Sequence, residues 1–90
     1  MTISAQIQFI PLHCDSPMDC VDEAIAIIQA SGVRYSVGAF GTSVEGEQGV
    51  INELVLQLQY LKTTPEFLLN VQYHLGENRL SNDEKVAKFR

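Results

Sequence analysis

Glu45 is the residue around which chemistry could be arranged. Thr42 and Ser43 stand within three positions of it, and other extended stretches of the chain contribute Gln6, Gln8, Ser36, Asn70 and Gln72. A carboxylate among hydroxyls and amides can accept hydrogen bonds from an amino group or offset a cation, more strongly once water is excluded. Catalysis asks for more: a nucleophile with its base, a carboxylate pair or a metal. His13 and Cys14 are neighbours in the chain, which does not turn their side chains toward each other. With Cys20 six residues further on and His74 the only other histidine, no four-ligand set is completed. The residues therefore read as two free thiols, no metal site, no cofactor and no catalytic group. The expected protein binds and does not transform. Three alternatives stand beside it: a small oligomeric enzyme with Glu45 as general base, a regulatory or structural oligomer, and a polar sheet face that simply meets water.

Composition narrows the classes. Ninety residues make one domain, and 46% hydrophobic against 19% charged residues make a folded chain with little charge to spare for a monomer's surface, so self-association is expected. A net charge of −5, with six Lys and Arg in no cluster, excludes a nucleic-acid phosphate partner. The opening M-T-I-S-A-Q-I-Q-F lacks a basic segment followed by a long apolar one, and no run approaches the ~20 residues of a membrane span. The expectation is a cytoplasmic protein without a membrane partner.

The elements that must position Glu45 follow from periodicity. Residues 2 to 10 alternate, with Ala5, Ile7 and Phe9 on one side and Ser4, Gln6 and Gln8 on the other, until Pro11 removes a donor. Ser16 and Pro17 read as N-cap and N1 of a helix, with Val21, Ala24, Ile25 and Ile28 on its apolar stripe and Gly32 as the left-handed residue beyond its end. A second strand over 33 to 40 turns at Gly41 into a short third strand, Thr42 to Glu45. There Val44 points inward, and Ser43 and Glu45 point outward. A second helix carries Ile51, Leu54, Val55, Leu58 and Leu61, and K-T-T-P ends it. Val50, Leu56 and Tyr60 fall off that stripe. Phe67 to Leu75 is the last strand, with Leu69, Val71 and Tyr73 inward. The polar tail 79–90 holds a short helix from Ser81 and lies outside the domain proper, 1–78.

The order βαββαβ predicts an α+β, ferredoxin-like sandwich: a four-stranded antiparallel sheet in the order 4-1-3-2 with two helices on one face. That order sets Gln6 and Gln8 beside Ser43 and Glu45 on the uncovered face, between Ser36 on one side and Asn70 and Gln72 on the other, with Phe40, Leu68 and His74 around them.

Three segments, S-A-Q-I-Q-F-I-P-L, S-G-V-R-Y and F-G-T-S-V-E-G, together resemble the YkoF-like thiamine-binding family over roughly residues 3–62. The resemblance implies a subunit that assembles through its sheets into a dimer or tetramer. It also implies binding of thiamine or its hydroxymethylpyrimidine half without chemical change. The motif G-T-x-x-E-G falls on Gly41, Thr42, Glu45 and Gly46. For such a ligand Glu45 would meet the exocyclic amine or the thiazolium charge, and Gln8, Ser36, Thr42 and Ser43 the remaining polar atoms. Phe40 or Tyr35 would stack on a ring, although alternation assigns Tyr35 to the core.

Overall fold

A computed structural model describes all of residues 1–90. Seven regular elements follow in order: β1 (Thr2–Leu12), α1 (Pro17–Ala30), β2 (Arg34–Val37), β3 (Thr42–Glu47), α2 (Gln48–Gln59), β4 (Glu66–His74) and α3 (Asn82–Val86), with a single 3-10 turn at Ala87–Phe89. Every strand pairing is antiparallel, and the sheet runs β2-β3-β1-β4, the expected order counted from the other edge. The fold is ferredoxin-like.

The alternation of β1 decides which face is dry. Ile3, Ala5 and Ile7 are buried against the helices together with Val44 of β3, and α2 closes on them with Ile51, Leu54, Val55 and Leu58. Val50, Leu56 and Tyr60 are exposed, as their places off the stripe require. On α1 the buried residues are Cys20, Ala24 and Ile28, with Ile27 packed against the core, while Val21 and Ile25 are only half covered. The stripe is thus rotated slightly from the expected one. Its apolar arc is wide enough to offer two settings, and small Ala24 lets the helix approach the sheet. Ser16 is the N-cap, Asp19 sits in the first turn, and Gly32 takes φ +82 just past the C-cap Ser31.

Four local expectations are corrected. First, β1 does not stop before Pro11 but pairs with β4 as far as Leu12, whereas its ladder with β3 ends at Ile7 opposite Thr42. Beyond that point β1 is an edge strand, where proline is tolerated. Second, β2 ends at Val37 rather than running to residue 40, and the reversal is a loop closed by the Gly38 N–H donating to Gly41 O at 2.8 Å. Gly41 is needed there for proximity: a Cβ would run into Gln6 Nε2 and stand 2.9 Å from Ile7 O. Third, β3 continues through Gly46 to Glu47. Fourth, Cys14 and Cys20 are not free thiols but a disulfide. The loop after β1 doubles back over the first turn of α1 and brings a cysteine six residues away within bonding reach. No helix is long and apolar enough to cross a membrane.

Candidate functional site

The face of the sheet away from α1 and α2 is read directly from the register. Across it lie three rows: Arg34, Glu45, Ser4 and His74; then Ser36, Ser43, Gln6 and Gln72; then Gln8 and Asn70, with Ile10 and Leu68 beyond. Glu45 does point outward, beside the amides. It is not open to water, however: its side chain is only 8% exposed.

The tail covers it. Arg79 Nη1 donates to Glu45 Oε2 at 2.8 Å and to Ser4 Oγ at 2.8 Å, and its Nε donates to Thr2 O at 3.1 Å. The Asn82 N–H and Ser4 Oγ each donate to the same Glu45 oxygen at 3.3 Å, and Asn82 Nδ2 donates to Val44 O at 3.1 Å. Burial alone would raise the Glu45 carboxyl, but the hydrogen bond and charge of Arg79, with the bonds from Asn82 and Ser4, outweigh it and hold the pKa below its ordinary value. Further out, Arg34 pairs with Asp83, and Lys85 Nζ meets His74 Nδ1. Residues 79–86 therefore touch all four strands. Their helical turn is set by a capping box in which the Ser81 hydroxyl accepts from Glu84 N–H and the Glu84 carboxylate accepts from Ser81 N–H.

Beside α3 the face is hollow. One depression of about 400 Å³ runs from Asn82 and Lys85 over Gln6, Ser43 and Gln72. A second of about 590 Å³ continues it over Gln8 and Asn70 to Phe40. Two internal bonds order the row: Ser43 Oγ donates to Gln6 Oε1 at 2.8 Å, and Asn70 Nδ2 to Gln8 Oε1 at 3.1 Å. Both glutamines thus keep an Nε2 group with protons to donate. Phe40, 84% exposed, overhangs this end from the loop between β2 and β3.

Of the six residues singled out from the sequence, Gln8, Ser43 and Phe40 come together around the hollow, and Ser36 stands at its margin on the edge strand. Glu45 lies under the tail. Thr42 faces the other way: it is buried on the side of Val44, beside a separate, mostly apolar crevice of about 400 Å³ between α1 and the 38–41 loop. Tyr35 shares that inward side yet is 44% exposed at the sheet edge, its hydroxyl accepting from Gln29. Arg79 and Asn82 were missed. The S-x-x-E box at Ser81 announces a helix start, but nothing local says that Arg79, just before it, pairs with a strand residue 34 positions earlier.

These features define a small ferredoxin-like α+β domain with a polar, partly roofed sheet face and a buried ion pair at one end of it. The chain belongs to the thiamine-binding protein family, whose model matches residues 5–89. A UPF0045 protein of Clostridium perfringens is 28% identical, over 99% of this chain and 98% of that protein. Among solved structures, a candidate thiamine biosynthesis/salvage protein of Thermotoga maritima matches with a TM-score of 0.89 at 29% identity, covering 100% of both chains. A domain of unknown function from Bacillus cereus matches with a TM-score of 0.87 at 30% identity, over 100% of this chain and 91% of that one.

Proposed function

We propose that the chain binds thiamine, or its hydroxymethylpyrimidine half, in the hollow of the open sheet face and releases it unchanged. The observation that carries this reading is the ordered amide row. Gln6 and Gln8 present Nε2 donors, while Asn70 and Gln72 add carbonyl acceptors beside them. An aminopyrimidine has ring nitrogens that accept and an exocyclic amine that donates, the complement of such a row. Phe40 supplies an aromatic face at the rim, and a second copy laid over the sheet would exclude water from the seat. That lid gives the exposed Phe40 and Leu68 an apolar partner. Glu45 is ill suited to act as a general base. A general base works best with a pKa near the operating pH, whereas this carboxylate is held ionised, below the ordinary range, by bonds it already makes.

Titration with thiamine and separately with hydroxymethylpyrimidine tests the proposal. At a hundredfold excess over Kd, binding adds about 2.7 kcal/mol to the folded state, a rise of roughly 10 °C or more in Tm for a domain of this size. No shift with either compound at millimolar concentration refutes it. A sedimentation experiment showing a monomer, with and without ligand, refutes the second-copy lid.

A further inference from the structure

We infer that Glu45, the acid of the G-T-x-x-E-G motif, is a positioning residue that never touches the ligand. Its task is to latch residues 79–86 across the sheet so that α3 forms one wall of the seat. The inference deepens the proposed function and rests on it for the identity of the ligand. Four observations carry it. Glu45 Oε2 is held by Arg79, Ser4 and the Asn82 N–H, and Glu45 lines neither depression of the seat. Arg79 and Glu45 are 7% and 8% exposed and paired at 2.8 Å, so each offsets the other's charge. The depression over Gln6, Ser43 and Gln72 is bounded on its far side by Asn82, Lys85 and Val86, all of which the latch carries. Lastly, Asn82 is anchored twice, through its N–H to Glu45 and through its side chain to Val44 O, so the wall is fixed to β3 at the carboxylate itself.

A consequence for specificity follows. With its acid neutralised by Arg79, the seat offers amides, hydroxyls and the basic Lys85, and it selects for the neutral pyrimidine ring rather than for the thiazolium charge.

Two variants separate latching from direct contact. Glu45→Gln weakens the charge-assisted bonds of the latch. Ser81→Ala removes the hydroxyl that caps α3 and bonds neither Glu45 nor any residue of the amide row. Amide exchange measured by mass spectrometry reports the latch without ligand. Both variants are expected to speed exchange across residues 79–86, by about fivefold for Ser81→Ala and roughly tenfold for Glu45→Gln. Thiamine affinity, measured by calorimetry, is expected to fall in both in the same order. If Ser81→Ala loosens α3 yet leaves affinity intact while Glu45→Gln abolishes it, the carboxylate touches the ligand and the inference is wrong. Unchanged exchange in Glu45→Gln overturns the latch itself. Should the wild-type chain fail to bind thiamine, the proposed function falls, and the exchange rates alone decide whether the latch stands.

Discussion

Replacing Arg79 by Met is the most demanding test of the ion pair under the tail. The substitution keeps an unbranched side chain but removes the donors to Glu45, Ser4 and Thr2 O. Breaking a buried pair by deleting one partner costs roughly 3–5 kcal/mol, because a charge is left in a dry place. Here the tail can peel away and readmit water to Glu45, which caps the loss near the low end, about 3 kcal/mol. For a chain of 90 residues, the unfolding entropy near Tm is about 190 cal/mol/K, so Tm should fall by about 15 °C. The acidity dependence is diagnostic. In the wild type the folded pKa of Glu45 lies below the ordinary 4.5, so its stabilising contribution is complete above that value and is lost as pH falls through the folded pKa. In Arg79→Met the tail lifts and water returns to Glu45, so its carboxyl moves back toward the ordinary value and there is no pair to lose. The difference between the two proteins should therefore be flat near neutrality and shrink below about pH 4.5. Thermal unfolding followed by circular dichroism from pH 3 to 8 measures it. A gap that persists unchanged to pH 3, or one of under about 3 °C at pH 7, would refute the reasoning.

Reduction of the Cys14–Cys20 disulfide reopens a seven-residue loop, worth about 2 kcal/mol by loop entropy, and should lower Tm by some 8 °C or more in a comparison with and without reductant. Gly41→Ala forces a Cβ against Gln6 Nε2 and Ile7 O and should cost about 1–3 kcal/mol in denaturant titration, with the β2–β3 loop shifted in position. Leu54→Ala, at a site 1% exposed in the centre of the core, should cost roughly 3–5 kcal/mol while leaving Glu45 and Arg79 paired; a loss under 1 kcal/mol would mean that the core is assigned wrongly.

The fold was legible because its signals are short-range. Alternation in residues 2–10 and the stripe Ile51, Leu54, Val55 and Leu58 each name a buried face from neighbouring positions alone, and the βαββαβ order then leaves few topologies. The outward aim of Ser43 and Glu45 followed from the same alternation once Val44 was placed inside. What failed depended on distant partners. Pro11 looked like a stop because the early end of the β3 ladder, which turns that stretch of β1 into an edge, is not written near it. Thr42 is the exception: the motif groups it with Ser43 and Glu45, although alternation, a local signal, separates its face from theirs. The disulfide depends on how sharply the 13–16 loop doubles back, and residue types do not fix that. Arg79 was one cation in a polar tail, and only the folded sheet brings Glu45 to it.

The ion pair also orders events during synthesis. Glu45 leaves the ribosome 34 residues ahead of Arg79, an interval of roughly 2–7 s at ordinary elongation rates. Through that interval β3 can already pair with β1, but its acid stands in water and the hollow has no far wall. The carboxylate is thus screened from water only after the closing segment has emerged, so the last part of the chain to be made sets the electrostatics of a strand made seconds before.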